Sequence, residues 1–123
     1  MDKTEVLQLV KREMNINDQG FKRYEKDIQK VYTFLEEKHI EFEERNLIAF
    51  TSHVITLFIR LESGEKVNGM DEEVMSQLDE AAIKITYDLM KIIADIYGEA
   101  DVVEVALVAI HIQTAMEIMQ DKQ

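Results

Sequence analysis

The chain has 123 residues, of which 46% are hydrophobic, and its formal net charge is −11. A chain of this length forms one domain with a sizeable core, so residues 1–123 are treated as a single domain. The absence of cysteine excludes disulfides and zinc–thiolate sites. The acidic balance argues against direct nucleic-acid binding, which needs lysine and arginine to replace the counterions of the phosphates.

Proline is also absent, and only four glycines interrupt apolar segments that run from end to end. This composition predicts an all-α fold, a single helical bundle. The charged N-terminal segment does not resemble a signal peptide, and the apolar run 47–59 is too short and too polar to span a membrane. We therefore expect a cytoplasmic protein without membrane contact, which agrees with the lack of cysteine.

Apolar residues at helical spacing predict five helices. Asn17 or Asp18 is expected to cap the second helix, and Gly64 and Gly98 are expected to end the third and the fourth. Ten of the fifteen residues 47–61 are apolar, which predicts that the third helix is central. The predicted ranges are about 3–14, 18–38, 43–62, 71–97 and 101–120, with a short polar loop at 65–70.

Two of the three histidines, His53 and His111, lie inside the two most apolar segments. Burying a titratable ring in an apolar helix is costly unless the ring is hydrogen-bonded. These two histidines are therefore candidates for function, although a hydrogen-bonded core histidine is the commoner interpretation. The third, His39, is interpreted as a surface residue in a turn.

Each of these histidines has a charged residue seven positions away on its own helix, Arg60 for His53 and Glu104 for His111. Residues seven apart share a face and lie about 10 Å apart along the axis. If the two helices pack antiparallel, the pairs align. The spacing then predicts that the histidines meet at one end and that Arg60 and Glu104 form a structural ion pair at the other.

The same segments resemble a known family. The positions of His53, Arg60 and Gly64 resemble the signature H-I-x-F-A-I-x-R-x-x-x-G of the phosphotransferase-system regulation domain (PRD). Residues 104–111, E-V-A-L-V-A-I-H, are similar to its second signature, E-I-x-Y-L-A-L-H. The resemblance covers roughly residues 46–116 and implies a five-helix bundle of the PRD type. Where the family commonly has aspartate before the first histidine, this chain has Ser52.

The resemblance implies reversible phosphorylation of His53 and His111 by a phosphocarrier or sugar-permease protein of the phosphotransferase system, with a change in dimer stability. Arg60 and Glu104 would support the site. Family members that regulate transcription usually carry an RNA-binding or DNA-binding domain, and this chain has a single module. It is therefore expected to act as a homodimer or through a separate regulator or enzyme.

Two other classes of function compete with this interpretation. Ser52 in place of the expected carboxylate favours a helical adaptor or assembly subunit that does not need phosphorylation. A metal-dependent enzyme using His53, His111 and Glu104 is the third alternative, but no H-x-x-x-H or H-E-x-x-H motif, glycine-rich phosphate loop or nucleophile elbow occurs. The sequence thus predicts a non-enzymatic protein without cofactor or metal.

Overall fold

The structure, a computed structural model, describes residues 1–65 and 73–121. Within these two ranges the chain is helical and forms no strand, which confirms the all-α prediction. The helices, in chain order, are α1 (Lys3–Met14), α2 (Asp18–Glu37), α3 (Glu44–Ser63), α4 (Glu73–Ser76), α5 (Glu80–Tyr97) and α6 (Val102–Asp121).

Local side-chain chemistry sets the ends of several helices. The Asn17 side chain accepts a hydrogen bond from the Gly20 amide at 2.7 Å, so Asn17 rather than Asp18 caps α2. In the same way, Asp101 Oδ1 accepts from the Glu104 amide at 3.2 Å in the first turn of α6. Gly64 ends α3 with φ of 77°, a left-handed conformation that glycine adopts without steric cost.

The prediction of one continuous fourth helix over residues 71–97 is wrong, because the structure divides this segment into α4 and α5. Asp79 has an extended backbone, with φ of −65° and ψ of 139°. Its amide donates to the Gln113 side chain of α6 at 2.7 Å, and so α5 begins only after this residue. Residues 66–72, which contain most of the predicted loop and the predicted start of this helix, lie outside the described residues.

The third helix is central, as its composition predicted. It contacts α1, α2, α5 and α6, and the side chains that it contributes to the core include Phe50, Val54, Leu57 and Phe58, all fully buried. This packing holds the remaining face of α3, with residues 53 and 60, against α6.

Helix α6 is apolar around most of its circumference. Within residues 1–65 and 73–121 it is the one helix that is long and apolar enough to cross a membrane, by length and composition only. The core helix of a soluble protein meets the same criterion. Here α6 packs against α3 and α5 and buries Val108, Ala109 and Ile112 completely.

Candidate functional site

The contact between α3 and α6 contains a bidentate ion pair. Arg60 Nε donates to Glu104 Oε2 at 2.8 Å, and its Nη2 donates to Oε1 at 2.7 Å. The side chains are 18% and 5% exposed, respectively. The hydrogen bond to Glu104 raises the pKa of Arg60, so the guanidinium stays charged. The ion pair predicted from the seven-residue spacing is confirmed.

The two histidines meet at the other end of the same contact. The ring centroids of His53 and His111 are 5.2 Å apart, and the ring planes are inclined by 52°. Because residue 53 faces 111 while residue 60 faces 104, α3 and α6 run antiparallel, as the spacing predicted. Both histidine side chains are partly buried, so the pair lies at the edge of the core.

Aromatic rings line one side of the pair. The ring centroids of Phe50 and His111 are 6.1 Å apart in an edge-to-face arrangement, and Phe42 stacks on Phe50 with ring centroids 4.7 Å apart. Nε2 of His53 is buried and has no hydrogen-bond partner among the described residues. The hydrogen bond expected of a core histidine is therefore not made by this nitrogen within the described part of the chain. Across the interface His53 faces another imidazole, while the Glu104 carboxylate is bound to Arg60.

This environment keeps both imidazoles neutral. The pKa of His53 is lowered from 6.5 to about 4, mainly by burial and in smaller part by the nearby His111 ring and the Arg60 charge, against an opposing effect of Glu104. Burial also lowers the pKa of His111. A neutral imidazole has a free lone pair, which is the form that attacks an electrophile or binds a metal ion.

Two polar residues lie close to the histidines along their helices: Ser52, where the PRD pattern commonly has aspartate, and Thr114. Ser52 is partly exposed, and its carbonyl accepts a hydrogen bond from the Thr56 hydroxyl at 2.8 Å. Thr114 is exposed, and its hydroxyl donates to the Ile110 carbonyl of its own helix at 2.9 Å. Neither side chain supplies a carboxylate to the histidines.

The third histidine is separate from this site. His39 is exposed and adopts a left-handed backbone, with φ of 59°, in the turn after α2, which agrees with its interpretation as a surface turn residue. It lines a cleft of about 520 Å³ together with Lys3, Tyr32 and Phe42. In this cleft Lys3 forms an ion pair with Glu36.

A second polar cluster was not anticipated from the sequence. Tyr97 at the end of α5 donates to Asp27 Oδ2 of α2 at 2.6 Å, and its ring stacks on Phe58 at 4.4 Å. Burial raises the pKa of the Tyr97 hydroxyl, and the Asp27 carboxylate raises it further. The available signal was the position of Asp27, three and four residues from Tyr24 and Val31 on the apolar face of α2. The hydrogen bond between Tyr97 and Asp27 connects α5 to α2.

In the part of the chain that the structure describes, no three histidine, aspartate or glutamate side chains converge as a metal-binding group. A scan against protein-family models found no match, and searches of curated proteins and solved structures found no similar chain either.

Proposed function

We propose that this chain is a non-enzymatic, cytoplasmic regulatory module of the PRD type, controlled by reversible phosphorylation of histidine at the α3–α6 contact. The observation that supports this function is the pair of neutral imidazoles, 5.2 Å apart at the edge of the core. In the reaction, a ring lone pair forms a bond to phosphorus and the bond from phosphorus to the donor breaks. The donor would be a phosphocarrier or sugar-permease protein of the phosphotransferase system.

His111 is the better first acceptor. A phosphoryl donor must approach along the lone pair of the attacking nitrogen, and Nε2 of His53 is enclosed by protein. His111 is partly exposed, and its ring forms no hydrogen bond to the described residues that would occupy a nitrogen. His53 would accept phosphate second, through Nδ1 or after the contact has opened.

The effect of the modification follows from the charges nearby. Phosphate adds about −1.5 to −2 charges where a neutral ring stood. The cation on the same interface, Arg60, lies about two helical turns away and already binds Glu104 through both carboxylate oxygens. Arg60 is therefore not free to pair with the new charge, which favours a rearrangement of the surface around α6.

That surface is the proposed interface of a homodimer. Val103, Leu107 and Ile110 follow one another at helical spacing on α6 and are only partly buried, and Ile110 is adjacent to His111. Such a face covers itself when two copies meet about a two-fold axis. Light scattering at micromolar concentration should find a dimer, and a strictly monomeric protein would contradict this part of the proposal.

Phosphoryl transfer can be measured directly. Radiolabelled, phosphorylated phosphocarrier protein is mixed with the wild type and with the His111→Ala, His53→Ala and His39→Ala variants. We expect acid-labile label on the wild type and on the His39 variant, strongly reduced label without His111, and a smaller reduction without His53. A wild-type protein that takes no label would favour the alternative, a helical adaptor that does not depend on phosphorylation, which Ser52 already supports.

The response to phosphate is tested by charge substitution. His111→Asp adds a negative charge at the contact, whereas His111→Ala removes the ring without adding one, so the two variants should differ in dimer affinity. The matched pair at His39 should behave like the wild type, because that residue lies outside the contact. The Ala and Asp variants of His53 complete a set of six, and sedimentation measures the self-association of each. Equal self-association of both His111 variants and the wild type would exclude the switch.

A further inference from the structure

We infer that His53 and His111 also provide two ligands of a binding site for a divalent transition-metal ion of the Zn²⁺ class, which joins α3 to α6. This inference rests on the geometry and chemistry of the two rings and does not require that either histidine be phosphorylated.

The separation of the rings fits a shared ion. Zn–N bonds of about 2.0–2.1 Å at a tetrahedral angle place two nitrogen ligands about 3.3 Å apart, and the radius of each ring then brings the two centroids to about 5 Å. The centroids of His53 and His111 are 5.2 Å apart. The ring planes are inclined by 52°, so the rings are not stacked face to face. In a face-to-face stack the lone pairs, which lie in the ring planes, could not converge on one ion.

The chemistry of the rings fits as well. Metal ions bind neutral imidazole, and imidazole is a preferred ligand of zinc, nickel and copper. Nε2 of His53 is a buried nitrogen without a hydrogen-bond partner in the described part of the chain, and burying such an atom unpaired is unfavourable. Coordination would satisfy this atom. Arg60 is seven residues away, and its guanidinium is held by Glu104 at the other end of the contact.

Two protein ligands leave the other coordination positions to water or to a second molecule. Zinc sites with three or four protein ligands are the tight ones, so a two-histidine site is expected to bind in the micromolar range or weaker. Because the ligands lie on different helices, the ion stabilises the folded chain by mass action. It also occupies the lone pairs that a phosphoryl donor needs, so metal and phosphate exclude each other.

Calorimetric titration of the purified chain with zinc chloride tests the site. The variants are His53→Gln and His111→Gln, which keep side-chain volume and remove the ligand, and the control is His39→Asn, because asparagine tolerates the left-handed backbone at position 39. We expect one ion per pair of histidines in the wild type and in the control, and affinity reduced by more than about tenfold in both ligand variants. Circular dichroism confirms that each variant is folded.

Cobalt(II) supplies a second measurement. Its visible absorption reports nitrogen ligation in a tetrahedral site, and thermal unfolding with and without the ion reports stabilisation. We expect both signals for the wild type and neither for the His53 and His111 variants. Undiminished zinc affinity in either folded ligand variant, loss of binding only in the His39 variant, or no binding by the wild type at millimolar zinc would each overturn the inference. None of these results depends on phosphoryl transfer, so the two proposals fail separately.

Discussion

The two ends of the α3–α6 contact are built on the same seven-residue spacing and are chemically opposite. At one end, Arg60 and Glu104 share two hydrogen bonds, and every charge has a partner. At the other end, two neutral imidazoles face each other, and Nε2 of His53 has no partner in the described chain. The ion pair stabilises the contact between the two helices. The histidines keep lone pairs that can attack an electrophile or bind a metal ion.

This difference shows how one helix pair combines stability with reactivity. A paired buried charge tolerates little change, because removing one partner leaves the other unpaired in a low dielectric. A buried imidazole nitrogen without a hydrogen-bond partner already costs free energy in the unmodified protein. A ligand or covalent group that binds this nitrogen removes that cost. Changes at the two ends should therefore have opposite effects on the stability of the folded chain.

The largest effect is expected at the ion pair. Arg60→Ala leaves the Glu104 carboxylate, 5% exposed, without its partner. We expect the free energy of unfolding to fall by about 3 kcal/mol. This is the lower end of the loss usual when one partner of a buried ion pair is removed, because Arg60 is itself partly exposed. Urea denaturation followed by circular dichroism measures the change.

The double variant Arg60→Met, Glu104→Leu is the matched control for this prediction. It removes both charges and keeps apolar volume, so its loss of stability should be much smaller than that of Arg60→Ala. A double variant as unstable as the single one would mean that packing, rather than the unpaired charge, determines the loss.

The histidine end should make the protein sensitive to acid. The pKa of His53 is about 4 in the folded chain against 6.5 for an ordinary histidine, so below pH 6.5 the unfolded chain binds the proton and the folded chain does not. Stability contributed by His53 is thus fully present above the unfolded pKa and is lost as the pH falls toward about 4, by at most about 1.4 kcal/mol per pH unit. Partial exposure reduces this slope.

The comparison of the wild type with His53→Gln isolates this contribution, since the many carboxylates titrate alike in both proteins. Urea denaturation at several pH values between 4 and 7 should give a shallower loss for the variant. His111, whose pKa burial lowers in the same direction, adds to the slope in both proteins. Equal slopes would show that His53 titrates normally.

A smaller effect of opposite sign is expected when the unpaired ring is replaced. His53→Leu removes the buried nitrogen without a partner and keeps an apolar side chain of similar size. We expect stability at pH 7 to rise by up to about 1 kcal/mol, whereas zinc binding is lost. A clear loss of stability in thermal unfolding would mean that the ring contributes more by packing than its unpaired nitrogen costs.

The smallest effect concerns Ser52. Ser52→Asp introduces the carboxylate that is common before the first histidine in the PRD pattern. A negative charge near the ring favours the imidazolium, so the pKa of His53 should rise from about 4 by up to about one unit. An NMR titration of the ring protons measures this shift, and Ser52→Asn, which has the same shape without the charge, should leave the pKa unchanged.

Most helices and the antiparallel pairing of α3 with α6 were predictable from the sequence. The apolar spacing indicated α1, α2, α3 and α6 to within one residue at each end, a difference that the fraying of helix ends accounts for. The matching separations of 53 from 60 and of 104 from 111 indicated which side chains would meet. Both inferences need only helix geometry and the demand that buried charges be paired.

The interruption of the predicted fourth helix was not deduced from the sequence, although Asp79 is a residue type that favours helix starts. Apolar periodicity continues through it, and the break is stabilised by a hydrogen bond from the Asp79 amide to Gln113 of a different helix. The pairing of Asp27 with Tyr97 was missed for a similar reason. The two residues are seventy positions apart, and no spacing rule connects them.

By itself, the sequence determined which faces of the helices are apolar, where most of them end and which four residues share the α3–α6 contact. The tertiary structure alone decided that the Arg60–Glu104 pair is bidentate and that Nε2 of His53 has no hydrogen-bond partner among the described residues. Pairing depends on distances and directions between atoms of different helices. Those are fixed only when Phe50 and the rest of the core set the separation of the helices.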